Sequence, residues 1–230
     1  IKVAHHLSKY IYRWAYKSIA ISNVVKEDLI KYTNIKSSQI NVIYNPIIPV
    51  DELDIKLEED IFHIAIVCRL TKQKNIDTIC DIIEETIKNR LRIKYHFFGE
   101  GDSTILHGLI LKYNAQDKII LHGFNISYLS YVKKMNLFIH IPLWEGLGNS
   151  VLEVYNSGIP MILSDIKAGY SELISKDYKN IHYVNPTDKN AIIEIIFRYY
   201  SRVEEGNTYD REKLNFDLNE TYKQYHSLAS

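Results

Sequence analysis

Two cations five residues apart, Arg69 and Lys74, and two carboxylates in an E-x7-E pair, Glu145 and Glu153, are the side chains here best suited to chemistry. Arg offers a planar fork for two oxygens and Lys a compact positive charge, a combination that suits a diphosphate. Between the carboxylates runs Gly146-Leu147-Gly148-Asn149-Ser150-Val151. Its glycines remove side chains where a backbone must approach a ligand. A helix starting near Asn149 would aim free N–H groups and its positive dipole end at an anion. Glu153, one turn into that helix, could accept hydrogen bonds from the vicinal hydroxyls of a ribose. Glu145, on the loop, could bind or polarise a sugar hydroxyl. Each residue also has a plain explanation: solvated loop cations, an ordinary Gly turn, an acid complementing a helix dipole, an exposed loop acid. Pairs at this spacing arise by chance, so the match counts only with the elements around it.

Other chemistries find little support. The nine His, among them His5, His6, His96 and His122, have no i, i+4 partner and no clustered Cys or Asp, so no metal site is expected. Neither a G-x-S-x-G elbow nor a P-loop is present. Lys plus Arg equals Asp plus Glu at 28 each, which argues against a nucleic-acid partner. Tyr10, Trp14 and Tyr16 read as core or interface rather than a stacking platform. Cys68 and Cys80 cannot form a disulfide scaffold or a four-cysteine zinc site, and their apolar contexts suit buried thiols in a reducing compartment. No run of about 18 apolar residues predicts a membrane span, and no signal-peptide pattern opens the chain. No amphipathic basic helix marks a membrane contact. A start at Ile1 reads as a fragment or processed product.

The elements that must position these residues follow from periodicity. A helix is predicted over Leu7–Lys17, a strand over Ile19–Ile21, a helix over Asn23–Tyr32 capped by Ser22, and a strand over Ile40–Tyr44. Asn45-Pro46, Pro49 and an acidic stretch over Asp51–Asp60 then interrupt regular structure. From Ile61 short Ile- and Val-rich strands alternate with amphipathic helices. The strands are Phe62–Val67, Ile93–Phe98, Lys118–Leu121, Leu137–Ile141, Pro160–Leu163 and Ile181–Val184. The helices are Asn75–Lys88, Asp102–Tyr113, Ser127–Met135, Asn149–Asn156 and Tyr170–Ile174, with Asn75, Asp102 and Asn149 at N-cap positions. Helices over Thr187–Arg202 and Arg211–His226 close the chain. Strands buried on both faces predict an α/β fold, a doubly wound, Rossmann-like parallel sheet. Its ligand would lie at the carboxyl ends of the strands. There the sequence places Arg69 and Lys74, then Gly99-Glu100-Gly101-Asp102, His122-Gly123-Phe124, the Trp144–Ser150 run, and Ser164-Asp165.

These residues resemble glycosyltransferase family 4. I-A-I-V-C-R-L-T-K-Q-K-N-I-D is similar to its G-R-L…K-G segment, H-F-F-G-E-G-D to its G-x-G loop, and I-I-L-H-G-F to its next strand end. H-I-P-L-W-E-G-L-G-N-S-V-L-E-V-Y-N-S-G-I-P-M-I-L-S-D resembles its E-x7-E block and following strand. The likeness runs over roughly residues 61–200, with I-A-I-S and V-I-Y-N-P upstream.

It implies a GT-B architecture, with residues 1–45 the end of an amino-terminal acceptor domain and 46–60 a linker. Residues 61–205 would form the carboxyl-terminal donor-binding domain and 206–230 a terminal helix. It implies retaining transfer from a nucleotide-diphosphate sugar to a glycan or lipid-linked acceptor, without metal or other cofactor. Surface polysaccharide synthesis, in the cytoplasm or at the inner face of the membrane, is the expected setting. Arg69 and Lys74 would match the diphosphate pair, Glu145 the donor-sugar contact, and Glu153 the ribose contact. Gly146–Val151 would supply backbone donors, and the loops at Glu100 and Phe124 would border the base. The sequence departs from the family where Cys68 and Asn75 replace glycines. An upstream acceptor-domain chain is a candidate partner. A non-catalytic nucleotide-sugar-binding subunit and a nucleotide-sugar epimerase are the alternatives.

Overall fold

The computed structural model describes residues 11, 12, 14–47, 53–204 and 218–229. His5, His6, Tyr10 and most of the helix expected over Leu7–Lys17 lie outside the described residues. So does the first part of the expected Arg211–His226 helix.

Strands β1 (Ser18–Ala20) and β2 (Ile40–Val42) pair in parallel through Ser18–Ile40 and Ala20–Val42. Helix α1 (Asn23–Thr33) connects them. Its start is as expected: the Ser22 hydroxyl accepts from Val25 N–H at 3.2 Å. The helix closes where Asn34 turns left-handed at φ 56°.

The second sheet has six parallel strands: β3 (Phe62–Val67), β4 (Ile93–Phe98), β5 (Ile119–Gly123), β6 (Leu137–His140), β7 (Met161–Ser164) and β8 (Ile181–Val184). Their order is β5-β4-β3-β6-β7-β8. The chain starts in the middle, winds to one side, then crosses back to build the other. β3 is buried along its whole length because helices cover both faces. On one face Ile64 and Ile66 pack with Tyr95, Phe97, Leu137 and Ile139 under α2 (Ile76–Lys88), α3 (Thr104–Tyr113) and α7 (Lys189–Glu204). On the other, Ala65 and Val67 pack with Phe98, Phe138 and Leu163 under α4 (Tyr128–Val132), α5 (Asn149–Tyr155) and α6 (Tyr170–Leu173). α2 shows why periodicity is informative: Ile76, Ile79, Cys80, Ile82, Ile83 and Thr86 form one buried stripe. A last helix, α8, spans Leu218–Ala229.

The helix starts correct two expectations and refine a third. Ser103, not Asp102, precedes α3, and Asp102 instead accepts from Thr104 N–H at 3.0 Å. Gly148 precedes α5, so Asn149 is its first residue. Asn75 does precede α2, but in a left-handed conformation, and its side chain makes no capping bond. The helix expected over Ser127–Met135 shortens to α4. Among the described residues no helix is long and apolar enough to cross a membrane.

Candidate active site

The strand order reverses between β3 and β6, so the segments leaving these two strands diverge and open a crevice at their carboxyl ends. The segment after β3 carries Arg69 and Lys74. It is clamped beside the segment after β4, with Leu70 N–H on Glu100 O at 2.8 Å and Asp102 N–H on Leu70 O at 3.0 Å. This approach requires glycine. At Gly99 (φ 140°) a Cβ would stand 2.0 Å from Cys68 O, and at Gly101 (φ 142°) 2.3 Å from Leu70 O.

Beyond Arg69, a 3-10 turn over Lys72–Lys74 ends at Asn75, φ 60°. Asn is among the residues that tolerate this region, so the turn suited to glycine is kept. Buried Asn75 also donates to Ile141 O at 3.2 Å and Pro186 O at 2.8 Å. Gln73 extends the tie, accepting from Leu143 N–H at 2.9 Å and donating to Trp144 O at 2.9 Å. The cation-bearing segment is thus fastened to the segment that carries Glu145.

That second segment is held from below. Gly146 O accepts from the Ser22 hydroxyl at 3.1 Å and from Gly169 N–H at 2.7 Å. Gly148 sits at φ 81°, where a Cβ would meet the Tyr170 ring at 2.7 Å. The Ser150 hydroxyl donates to Val67 O at 3.2 Å, anchoring the start of α5 to the end of β3.

A cleft of about 1000 Å³ results. It is lined by Arg69, Lys74, Phe124, Glu145, Gly146, Leu147, Gly148, Asn149, Ser150 and Glu153. Two expected residues lie elsewhere. Glu100 is exposed outside the lining because its carbonyl, not its side chain, serves the cleft wall. Val151 is fully buried under the sheet and spends its N–H on Gly148 O at 2.9 Å. Asp165, at the end of β7, pairs with Lys176 instead.

Within the cleft Arg69 is exposed, and among the described residues no carboxylate pairs with it. Lys74 pairs with Glu145, both nearly buried. The same Glu145 oxygen, Oε2, lies 3.3 Å from His140 Nε2, and Oε1 accepts Gly146 N–H at 3.2 Å. Burial pushes the Glu145 carboxyl up, but the hydrogen bonds from His140 and Lys74 and the Lys74 charge outweigh it and bring it down to about 2. Burial holds the His140 imidazole below its usual range, hence neutral. Glu153 accepts from the Tyr128 hydroxyl, whose proton is secured first by burial and then by the carboxylate beside it. Burial pushes the Cys68 thiol up to about 12, leaving it protonated on the cleft wall. Phe124 and Ile126 project at the mouth, 77% and 72% exposed. His140 and Tyr128 escaped sequence reasoning. Their only signal is a polar residue in an apolar strand and a Tyr in a weak helix.

Residues 52–210 match the model of the family described as glycosyl transferases group 1. The chain belongs to that family. An uncharacterised glycosyltransferase of Methanocaldococcus jannaschii is 29% identical over 166 residues, 70% of this chain and 38% of the relative. A UDP-Gal:alpha-D-GlcNAc-diphosphoundecaprenol alpha-1,3-galactosyltransferase of Escherichia coli is 26% identical over 213 residues, 83% of this chain and 54% of that one. The chain therefore spans about half or less of the length of these curated relatives. Among solved structures, Anabaena HepE in complex with UDP and glucose superposes with a TM-score of 0.74 at 16% identity, covering 100% of this chain and 66% of that one. The likeness establishes the GT-B fold for this group 1 chain, a Rossmann-like parallel sheet with flanking helices.

Proposed function

We propose that the chain is the donor-binding half of a retaining glycosyltransferase, of family 4 within group 1. It moves a sugar from a UDP-sugar to a glycan or lipid-linked acceptor in surface polysaccharide synthesis. The observation that carries this is one cleft uniting Arg69, Lys74, Glu145, Glu153 and the glycine-rich start of α5. Breaking the bond between sugar and diphosphate leaves negative charge on the departing phosphate. Arg69 and Lys74 stabilise that charge as it develops, with help from the N–H groups of the seven-residue α5. These fixed donors supply the stabilisation a metal would otherwise give, so transfer is proposed to need none. Glu145 takes a hydroxyl of the transferred sugar. Glu153, steadied by Tyr128, takes the ribose hydroxyls. The exposed Phe124 and Ile126 form an apolar ledge for the base. The choice of uridine is supported by the names of relatives that use UDP-sugars. The acceptor and its domain lie upstream, and the proposed place of work is the cytoplasmic face of a membrane.

A thermal-shift panel of UDP, GDP and ADP with their common sugar conjugates tests the reading. Ligand binding to the folded state raises the midpoint as RT ln(1 + [L]/Kd). A shift for at least one nucleoside diphosphate, absent in Arg69→Ala, is expected. No shift for any would overturn it. Because the chain covers 38% and 54% of two relatives, binding without turnover that becomes turnover when an upstream half is supplied would assign it the role of a donor-binding subunit.

A further inference from the structure

Glu145 is held by two side chains of opposite character. Lys74 ends a long stem and lines the same cleft as Arg69. His140 stands on β6 with 2% of its side chain exposed. Its ring lies 6.0 Å from both the Phe138 and the Tyr170 ring centroids. It cannot follow a ligand. A diphosphate entering the cleft competes with Glu145 for the Lys74 ammonium. Without a second donor, that competition would strand a nearly buried carboxylate, which is costly.

We propose that His140 is a positioning residue that keeps the Glu145 carboxylate held when a donor diphosphate draws Lys74 away, so that Lys74–Glu145 is an exchangeable pair and His140–Glu145 a permanent one. The inference rests on the donor-site reading above. The Nε2–H of His140 points to Glu145 Oε2, which fixes the tautomer. A neutral donor suits the task because it holds the carboxylate without offering the phosphate a rival cation. Gly146 N–H, on the other oxygen, is the third anchor. In the free chain the pair keeps Lys74 in place and guards the cleft against weak anions. In the loaded cleft it opens and leaves Glu145 aimed by β6 and its own backbone.

The test is calorimetric titration with UDP, or with GDP or ADP where that is the diphosphate that binds, of the unaltered chain, H140L, H140Q, E145Q and the double variant E145Q/H140L. UDP carries no sugar, so a Glu145 that only touched sugar would be silent. E145Q is expected to bind about 3- to 10-fold tighter, because Lys74 is released from its carboxylate. H140L is expected to bind roughly tenfold weaker, and H140Q, whose amide can donate, close to the unaltered chain. In the E145Q background H140L should cost nothing further, an interaction a purely structural His140 would not show. Equal affinity of H140L and the unaltered chain would overturn the proposal, as would an E145Q no tighter than the unaltered chain. Should H140L fail to fold by circular dichroism, an E145Q no tighter than the unaltered chain still overturns the proposal, and H140Q set against E145Q/H140L carries the His140 comparison. If the unaltered chain binds no nucleoside diphosphate, the donor-site reading fails first and takes this proposal with it. Binding that ignores H140L removes the proposal alone.

Discussion

The cleft holds four charged side chains whose surroundings differ. Arg69 is exposed and unpaired among the described residues, while Lys74 is already committed to Glu145. Their replacement should therefore act differently on the proposed transfer. Arg69→Ala is expected to slow transfer at saturating donor by a factor of order 100, the usual loss for one charge-stabilising donor. Lys74→Ala should cost at least as much and should also lower stability modestly, because Glu145 loses its ammonium partner and keeps only the hydrogen bonds from His140 and Gly146 N–H. Steady-state rates and melting curves separate the two effects, and unchanged rates in either variant would remove the diphosphate role. Glu153→Ala is expected to weaken UDP binding about tenfold through lost charged hydrogen bonds. The four residues were legible because residue type, strand end and spacing coincide. His140 was not, since its meaning depends on Glu145 turning back over the end of β6, a contact no periodicity encodes.

At the scale of elements, the site is built by segments that lock to one another. Asn75 occupies a left-handed position, and its amide satisfies two buried carbonyls, Ile141 O and Pro186 O. Asn75→Gly keeps the turn but leaves those carbonyls unbonded, with an expected cost of about 1–3 kcal/mol. Asn75→Ala loses the bonds and adds the strain of a left-handed Cβ, about 1–2 kcal/mol more. Urea denaturation of both variants gives the comparison, and Ala as stable as Gly would refute the account. Strand existence was read well from short Ile- and Val-rich runs. Helix starts were read less well. Asp102 and Asn149 have cap-forming side chains, but Ser103 and Gly148 take the cap positions because the sheet edge dictates the backbone there.

At the scale of the whole molecule, a row of buried histidines should make stability fall in acid, which the sequence did not announce. His63, His96 and His122 form a row across β3, β4 and β5, with ring nitrogens 2.9 and 3.0 Å apart. His63 Nε2 lies 3.0 Å from Glu58 O, an acceptor only, so His63 donates there and each ring accepts from the next. Burial lowers all three, His96 to about 3, and for His96 its two neighbours add to the effect. The folded state thus prefers neutral rings, and the unfolded chain takes up protons below about pH 6.5. Stability is fully present above that pH and is lost as pH falls. His96 alone should remove about 2–3 kcal/mol by pH 4.5, so His96→Phe is expected to flatten the acid limb of a denaturation profile. The diagonal placement of the three rings depends on strand register, which spacing alone does not give.

The first sheet is also part of this larger unit. Glu172 on α6 accepts from Asn23 N–H at 3.1 Å, Val24 N–H at 2.8 Å and the Tyr44 hydroxyl at 2.6 Å, and Ser22 reaches Gly146 O. A protein trimmed to begin at the six-stranded sheet would lose the hydroxyl beneath the glycine loop and the amides that gather around Glu172. Such an excised piece would keep every charged group of the cleft and yet present its glycine loop slackened, as a keystone arch does when one abutment is cut away.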